Sequence, residues 1–577
     1  MRNCILLVVF NYSNCVCNKD LLKQIYGRHF KQIIFYSDYP IVNDSEVNFI
    51  NIAKGFYTQA VFKHFADKYG KLIEESDGLF YTMDDNIINV NILHLFDSSK
   101  LIYYHNEVKS LDNYSGWQWD LPHGKAAIRN LLNDPDFKPY NISKFSGAFA
   151  DWFYLPKQYL TPTIFNLFEI FAKHRVFLEL AIPSIINNIE QAKNQYQSIT
   201  VDVLWGAERA NLLAKKYIFD SINHKHNFVL HPIKFNQNPA SKEWLKEFFC
   251  KEKCVIITTI NNPTETIIKH LLNPEYDVII VGDNKTPDTY NRLQCIYLDV
   301  AAQKKLFPEL AEKIPYNHYA RKNLGYLYAI KRGYKVIYET DDDNIPYNKF
   351  DSILDCSGLE MISENKSPWI NIFKYFTNNA HIWPRGFPLS LLKNTPEYQL
   401  CPTEKTPSIV NGLVENDPDV DALFRIICTH QDDIRWEGDK RILIDNKNMC
   451  VFNTQNTFWL NPALFICQLI PSSVSFRYCD ILRGIINNII LKKTDNYMMY
   501  TSPNVVQKRN EHNLINDFKS EYEMYIHNET ILNYIENGTE GITDVKELLS
   551  VIYRNLLEHN VIKPQDIDIL KTWLTYF

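Results

Sequence analysis

Two short runs of acidic residues carry the most definable chemistry in this sequence of 577 residues. One is Asp341-Asp342-Asp343, and the other is Asp84-Asp85 in the first half of the chain. Carboxylate oxygens are suitable ligands for Mg²⁺ or Mn²⁺, and a cation held by them can bridge a diphosphate. A solvated acidic turn has the same composition, so one run alone is a weak signal. The recurrence of the pattern favours metal sites.

Each acidic run follows an apolar stretch that predicts a buried β-strand, at residues 78–83 and 335–340. Asp84 lies 80 residues after Cys4, and Asp341 lies 87 residues after Cys254, so the two halves have similar spacing. Further strands are predicted at 5–10, 32–36, 47–52, 255–260, 277–282 and 295–300, and helices at 56–68 and 320–331.

Alternating strands and helices predict parallel βαβ units, and the matched spacing predicts two copies of one α/β fold. Ligands of open α/β sheets bind at the carboxyl ends of the strands, where these acids stand. We therefore predict a domain over residues 1–235, a polar linker over 236–253, and a second domain over 254–577 that ends in a helical tail.

The composition limits the class of protein. Apolar residues make up 46% and charged residues 22%, which excludes a disordered chain. The 61 Lys and Arg residues against 67 Asp and Glu give a net charge of −6, which argues against nucleic acid as a partner. None of the 12 cysteines forms a CxxC pair, so reduced thiols are expected. The apolar runs are too short for a signal peptide or a membrane span, so we expect a soluble, cytoplasmic protein, with a homo-oligomer left open.

Both halves of the chain contain stretches that are more specific than any single motif. The second-half stretches, in chain order, are ITTINNPTE (257–265), IVGDNKTP (280–287), PYNHYARKNLGYLYAIKRGYKVIYETDDDN (315–344), IWPRGFPL (382–389), DPDVDALFR (417–425), FNTQNTFWL (452–460), VSFRYCDILRG (474–484) and QKRNEHN (507–513). The first-half stretches include DWFYLP (151–156), VFLELAIP (176–183) and LHPIKF (230–235). On these residues, the second half of the chain resembles the STELLO family of glycosyltransferases, and the first half resembles the other transferase-like region of that family more weakly.

This resemblance implies two GT-A-like domains in tandem, which use a nucleotide-diphosphate sugar as donor and a glycan or glycoconjugate as acceptor. It implies Mn²⁺ or Mg²⁺ as cofactor, held in the second half by Asp341, Asp343 and His512. The residues expected to contact the nucleotide, its phosphates or the donor sugar are Thr259, Asn261, Asp283, Arg321, Lys322 and Arg509.

We expect the first half to repeat this arrangement. Asp84, Asp85 and His231 would hold its metal, with Lys234 near phosphate. His231 lies 147 residues after Asp84, and His512 lies 169 residues after Asp343, so the two candidate histidines have similar positions. The alternative is a first copy with a purely structural role.

An inverting transferase needs a carboxylate to deprotonate the acceptor hydroxyl. Asp480 is the candidate base in the second half, with Asp419 and Asp421 as alternatives. In the first half it is Glu179, with Asp151 as the alternative. A retaining reaction would need none of these residues as a base, and each acid has the alternative of a structural ion pair.

Several aromatic residues in or near the motifs are candidates for contact with sugar faces, with core packing as the alternative. These residues are Trp117, Trp119, Trp152, Tyr154, Trp369, Trp383 and Trp459.

Two other functions stay open: a nucleotidyl- or phosphoryl-transferase, and a non-catalytic scaffold. Enzymes of the first class often have a glycine-rich phosphate loop, and neither GxxxxGK[ST] nor GxGxxG occurs here.

Overall fold

The computed structural model describes residues 3–577 except 28, 39–43, 104–108, 111–119, 143, 190–195, 198, 294, 363–366, 380, 395, 397, 429–433 and 509–512. The chain is mixed α/β and divides into two compact units, Met1–Cys250 and Lys251–Phe577. The prediction that these units are two transferase domains stays a prediction.

In the described residues, the first unit has a six-stranded, a three-stranded and a two-stranded sheet, with helices between the strands. Its strands are β1 Ile5–Phe10, β2 Gln32–Ser37, β3 Val47–Phe49, β4 Gly78–Met83, β5 Ile87–Ile88, β6 Ile102–Tyr103, β7 Lys109–Ser110, β8 Ser146–Gly147, β9 Trp152–Pro156, β10 Val201–Val203 and β11 Val229–His231. Its α-helices are α1 Lys19–Tyr26, α2 Ala60–Glu74, α3 Pro122–Asn133, α4 Pro162–Lys173, α5 Leu178–Asn187, α6 Lys215–Asn223 and α7 Ala240–Phe249.

The larger sheet of the first unit has the strand order β3-β2-β1-β4-β9-β6. β1 is parallel to β2 and β4, whereas β9 is antiparallel to β4. All six residues of β1 and all six of β4 are buried, which explains their continuous apolar sequences. Because β1 and β4 are parallel neighbours, Asp84 meets the chain at Asn11, whose backbone N–H donates to Asp84 Oδ1 at 2.8 Å.

The second unit is built around an eleven-stranded sheet. Its strands are β12 Lys253–Thr258, β13 Tyr276–Val281, β14 Ile296–Leu298, β15 Val336–Thr340, β16 Asn344–Pro346, β17 Glu360–Ile362, β18 Leu400–Pro402, β19 Ile409–Glu415, β20 Arg441–Ile444, β21 Asn456–Trp459 and β22 Met498–Gln507. Its α-helices are α8 Glu265–Leu271, α9 Val300–Leu306, α10 Pro308–Lys313, α11 Lys322–Arg332, α12 Ala422–Ile427, α13 Cys479–Lys493, α14 Leu514–Asn528, α15 Val545–Glu558 and α16 Pro564–Leu574.

One end of this sheet repeats the topology of the first unit. The order β14-β13-β12-β15-β21 matches β3-β2-β1-β4-β9, with four parallel strands followed by one antiparallel strand. Both acidic runs follow the fourth parallel strand, β4 or β15. The sheet thereby places Asp84 and Asp341 at the same edge of the two units.

Helix α11 lies directly on this sheet because Gly325 has no side chain. A Cβ at Gly325 would come within 2.5 Å of Val281 Cγ2 and 2.8 Å of Ile256 Cγ2, on β13 and β12. A close approach of this kind is a standard reason for glycine inside a helix. The close packing of α11 on the sheet places Lys322, its first residue, and Tyr319, just before the helix, beside the acidic run.

The segment predicted as a linker differs in the structure. Residues 240–249 form helix α7, whose Leu245, Phe248 and Phe249 are buried. Part of the predicted linker is therefore an element of the first unit, because its aromatic residues belong to an amphipathic helix.

In the tail, Asp544 caps α15 through Glu547 N–H, and Pro564 begins α16. Within the described residues, no helix is both long and apolar enough to span a membrane.

Candidate functional site

A cleft of about 450 Å³ opens in the second unit where β12, β13 and β15 end. Its wall includes Thr259 after β12, Asp283 after β13, and the acidic run after β15. These positions agree with the rule that ligands of open α/β sheets bind at carboxyl strand ends. The cleft brings most of the predicted second-half site residues together.

The middle acid of the run is turned towards the β12 loop. Asp342 Oδ2 accepts hydrogen bonds from Thr259 Oγ1 at 2.5 Å and Asn261 Nδ2 at 3.0 Å. The Asp342 backbone carbonyl accepts a third from Thr264 Oγ1 at 2.6 Å. Thr259 and Asn261 therefore hold the acidic run in place from the neighbouring strand end.

Asp341 is tied to the start of α11. Its Oδ1 accepts from Tyr319 OH at 2.5 Å and lies 3.4 Å from Lys322 Nζ. Lys322 is fully buried and also donates to Thr340 O at 2.8 Å. Burial raises the pKa of Asp341, and the Lys322 charge and the Tyr319 hydrogen bond oppose that rise only in part. Lys322 is thus already paired with the acid in this structure. Its predicted contact with the diphosphate or the donor sugar stays a prediction.

Asp343 has a carboxylate oxygen that the protein leaves unsatisfied. Its Oδ2 accepts from Gln507 Nε2 at 3.0 Å, whereas its buried Oδ1 has no hydrogen-bond partner among the described residues. Burial and then the charge of Asp341 raise the pKa of Asp343 to about 7. An unpaired buried oxygen is costly, and a cation is one way to compensate it. The donor set at Asp341 and Asp343 therefore fits Mn²⁺ or Mg²⁺.

Asp283 and Arg321, two residues predicted to contact the donor, both line the cleft but have different partners. Asp283 lines the cleft, and its Oδ2 accepts from Asn317 N–H at 2.7 Å. Arg321 also lines the cleft, but its Nη1 donates to Ala311 O at 2.8 Å and Ile314 O at 3.0 Å. The Arg321 Nη2 donates to Gln303 Oε1. These three bonds hold both Nη atoms of Arg321, whereas its buried Nε has no hydrogen-bond partner among the described residues. Its contact with phosphate stays a prediction.

Lys285 is a cleft residue that sequence reasoning missed. It is exposed, and it forms no ion pair within the part of the chain that the structure describes. The signal was available, because Lys285 follows Asp283 at the end of β13, inside the IVGDNKTP stretch.

Arg385 is a second residue that sequence reasoning missed, although it lies in the IWPRGFPL stretch. It is buried and binds two acids of the cleft wall. Its Nη1 and Nη2 donate to Asp480 Oδ1 and Oδ2 at 3.0 and 2.8 Å, and its Nε donates to Asp419 Oδ1 at 2.8 Å. Burial acts to raise the pKa of Asp419, but the Arg385 charge holds it below the usual range. Asp480 and Asp419 thus line the cleft as carboxyl groups that Arg385 orients.

Asp421, predicted as an alternative base, does not line the cleft, and its role as a base stays a prediction. It is the N-cap of α12, with Oδ1 accepting from Phe424 N–H at 2.8 Å. Its Oδ2 accepts from Trp383 Nε1 at 2.6 Å. Burial raises its pKa to about 7. Both oxygens stabilise local structure, which explains the position of this acid in the motif.

The predicted site residues Arg509 and His512 lie outside the described residues.

In the first unit, Asp85, Asp151 and His231 offer ligand atoms that lie within 4.8 Å of one another. His231 Nδ1 is 4.0 Å from Asp85 Oδ1, and His231 Nε2 is 3.9 Å from Asp151 Oδ2. His231 Nδ1 is buried and has no hydrogen-bond partner among the described residues. Burial lowers the pKa of His231 to about 4, so its imidazole is neutral, as a metal ligand must be. This group fits a divalent metal ion.

The composition of this group differs from the prediction. Asp84 is buried and accepts from Asn11 N–H, and the third ligand position falls to Asp151, which precedes β9. The reason is the sheet: Met83 N–H donates to Asp151 O at 2.9 Å, so the start of β9 meets the end of β4. Lys234 Nζ contacts Asp85 Oδ2, as a cation beside the acids.

Glu179, the predicted base of the first unit, is in the first turn of α5 and is buried. Its backbone carbonyl accepts from Ala148 N–H at 3.0 Å. Burial, Asp85 and Glu179 raise the pKa of Asp151 well above its ordinary value, which places Glu179 in the electrostatic surroundings of the group.

Comparison with known proteins confirms the STELLO resemblance. The chain is 28% identical over 293 residues to a protein of Arabidopsis thaliana named Probable glycosyltransferase STELLO1, and 28% identical over 275 residues to Probable glycosyltransferase STELLO2 of the same plant. These matches cover 47% and 44% of this chain but only 38% and 36% of the relatives, so the chain spans well under half of their length.

No protein-family model matches the chain. Among solved structures, the glycosyltransferase GlyE of Streptococcus pneumoniae TIGR4 aligns with 53% of this chain and 83% of its own, at 15% identity and a TM-score of 0.21. Its apo form aligns with 58% and 90%, also at 15% identity and a TM-score of 0.21.

Proposed function

We propose that this protein is a metal-dependent glycosyltransferase that moves a sugar from a nucleotide-diphosphate sugar to a glycan or glycoconjugate acceptor. The observation that carries the proposal is the unsatisfied Oδ1 of Asp343, beside Asp341, in a cleft at the carboxyl edge of the sheet. The glycosyltransferase names of its two Arabidopsis relatives support the same reaction class. We also propose that the two units are GT-A-like domains in tandem, because their acidic runs follow the same strand of a shared topology.

The donor would bind with its diphosphate towards Asp341 and Asp343, which would hold Mn²⁺ or Mg²⁺. A cation there supplies Lewis-acid stabilisation of the negative charge on the departing diphosphate. Lys285 would add a positive charge at the rim, since it has no ion pair within the described residues. Thr259 and Asn261 orient the acidic run through Asp342, so their contribution is to position and not to touch the reacting atoms.

The acceptor hydroxyl would be activated by a second pair of acids in the same cleft. Asp480 lines the cleft and is held by Arg385, with Asp419 beside it. In an inverting reaction, the acceptor oxygen forms the new bond to the anomeric carbon and its proton passes to a carboxylate, while the diphosphate takes the electron pair of the broken bond. The double hydrogen bond from Arg385 fixes the orientation of Asp480 for that step.

The first unit would be a second active copy. Asp85, Asp151 and His231 would hold its divalent ion, with Lys234 near phosphate and Glu179 as the nearby acid. This arrangement supports a bifunctional enzyme, because each unit has its own group of candidate metal ligands at the end of the corresponding strand, β4 or β15.

Calorimetric titration of the full chain with a panel of nucleotide sugars, with and without Mn²⁺, tests the proposal. We expect Mn²⁺-dependent binding of one nucleotide sugar, and a rise in its Kd of roughly 100-fold in Asp343→Asn. Asp439→Asn is the matched control, because Asp439 is an exposed acid far along the sheet order, beside β20. Absent or metal-independent binding would instead favour a scaffold. Release of pyrophosphate from a nucleoside triphosphate, measured in a separate assay, would favour a nucleotidyl-transferase.

A further inference from the structure

The loop before α13 presents an aromatic ring to the cleft. Phe476 lines the cleft, and 57% of its surface is exposed. The described aromatic candidates of the motifs behave differently, since they fill the core or are half-buried. Trp152, Tyr154, Trp369 and Trp459 are at most 3% exposed, Trp383 is half-buried against Asp421, and Trp117 and Trp119 lie outside the described residues.

Helix α14 binds the residues on both sides of Phe476. Ser475 Oγ donates to Ser520 O, and Arg477 Nε donates to the fully buried Glu521 at 2.6 Å. Tyr478 OH donates to Asn528 Oδ1 at 3.0 Å. The residues on both sides of Phe476 are thus fixed to one helix, and the ring between them is left on the cleft side.

The ring of Phe476 also has a defined orientation. It meets the ring of Tyr319 edge to face at 5.5 Å and 78°, and that of His318 at 6.4 Å and 72°. Tyr319 in turn donates to Asp341. Only the side chain of Tyr319 therefore connects the ring of Phe476 to Asp341 of the acidic run.

Arg477 adds an unused donor next to this ring. Its Nε is bound to Glu521 and its backbone carbonyl accepts from Arg385 Nη1, but its buried Nη2 has no hydrogen-bond partner among the described residues. Arg477 lines the same cleft. An unpartnered buried donor beside a ligand cleft is explained when the ligand supplies the acceptor.

We propose that Phe476 and Arg477 form a subsite for a sugar ring, with Phe476 stacking on the apolar face of the ring and Arg477 donating to a hydroxyl. The inference rests on the proposed function and deepens it, because it assigns the part of the substrate that this wall recognises. The pairing of an oriented aromatic ring with a planar donor suits the alternating apolar faces and hydroxyl edges of a pyranose. The ring can belong to the donor or to the acceptor, and the two sources are separable.

Three titrations of the full chain with Mn²⁺ test the subsite: a nucleoside diphosphate, the matching nucleotide sugar, and a set of mono- and oligosaccharide acceptors followed by saturation-transfer NMR. Phe476→Ala should leave the Kd of the nucleoside diphosphate within about twofold. It should raise the Kd of the nucleotide sugar by roughly tenfold if the ring is the donor's, or that of an acceptor by roughly tenfold if it is the acceptor's.

Three further variants make the result specific. Phe476→Tyr keeps the ring and should restore binding. Tyr522→Ala removes a ring that is equally exposed, at 57%, on α14 but is not in the cleft wall, and it should have no effect. Arg477→Lys keeps a cation against Glu521 and should raise the same Kd by roughly three- to tenfold, with an unchanged melting curve to exclude misfolding.

The inference is overturned if Phe476→Ala weakens the nucleoside diphosphate as much as the nucleotide sugar, since the ring would then bind the nucleoside. It is also overturned if all three affinities stay unchanged while the wild-type chain binds a nucleotide sugar. If the wild-type chain binds no nucleotide sugar and no nucleoside diphosphate, the proposed function fails and the subsite falls with it.

Discussion

Replacing Arg483 with leucine tests whether one buried ion pair holds helix α13 to strand β15 beneath the cleft residues Asp341 and Asp480. Glu339 lies on β15, two residues before Asp341, and Arg483 lies on α13, three residues after Asp480. Arg483 Nη1 and Nη2 donate to Glu339 Oε2 and Oε1 at 2.8 and 2.6 Å, and both side chains are fully buried. The pair therefore connects the strand of the acidic run to the helix of the proposed base.

The expected magnitude follows from what Glu339 would lose. Breaking a buried pair by removing one partner costs about 3–5 kcal/mol, since an uncompensated charge is left behind. Glu339 would keep Trp459 Nε1 at 3.0 Å and the hydroxyl of Tyr326 as donors, which places the cost of Arg483→Leu near the lower end. At roughly 2 °C per kcal/mol for a large unit, the melting temperature should fall by about 6 °C.

Differential scanning calorimetry of the full chain measures this change. The double variant Arg483→Leu with Glu339→Leu removes both charges and should recover much of the loss. Asp439→Asn, which breaks an exposed pair with Arg441 at 3.3 Å, should cost about 0–1 kcal/mol. A single variant that loses less than about 1 kcal/mol, or a double variant that is less stable than the single one, would refute the reasoning.

The same pair has a pH signature with a definite sign. Burial acts to raise the pKa of Glu339, but the Arg483 charge and its hydrogen bonds hold that pKa below the usual range. A carboxyl with a depressed folded-state pKa stabilises the fold above its unfolded pKa of about 4.3, and the contribution is lost as pH falls through the folded value. The stability difference between wild type and Glu339→Gln should therefore shrink on acidification below about pH 4.

Other variants test the separate parts of the account. Asp421→Ala should lower the free energy of unfolding by about 2 kcal/mol, because it removes a helix cap and the acceptor of Trp383 Nε1. The kcat of this variant in a transfer assay should stay unchanged. A large loss of kcat in a folded variant would identify Asp421 as the base. His231→Gln should weaken Mn²⁺ binding in the first unit by roughly 10- to 100-fold, as followed by electron paramagnetic resonance on a chain whose second unit is silenced by Asp343→Asn. In that background, Lys234→Met should strengthen Mn²⁺ binding by roughly tenfold, since it removes an ammonium group that competes for Asp85; weaker binding would show that Lys234 supports the site.

The sequence was a good guide to the sheet cores. Strands buried on both faces have continuous apolar runs, so β1, β4, β12 and β15 were predicted within one or two residues. The position of the acids after β4 and β15 followed from the same runs. The small differences occur at ends, as at β3, which stops at Phe49 because only Val47–Phe49 pairs with β2.

Side-chain partners could not be predicted in the same way, because they join residues far apart in the chain. Lys322 and Arg321 have equal charge in the sequence, yet one binds Asp341 and the other binds three protein acceptors. Asp151 joins Asp85 only because β9 is antiparallel to β4, a pairing that local periodicity does not reveal. Arg385 was missed for the same reason, since its partners lie 34 and 95 residues away.

The most direct test of the central claim is release of nucleoside diphosphate from a nucleotide-sugar panel by the full chain in the presence of Mn²⁺, with products identified by mass spectrometry. The account predicts release of the diphosphate from one donor, accelerated by an acceptor sugar and abolished both by EDTA and by Asp343→Asn. Release that persists with EDTA and in Asp343→Asn, or pyrophosphate as the only product, would contradict it.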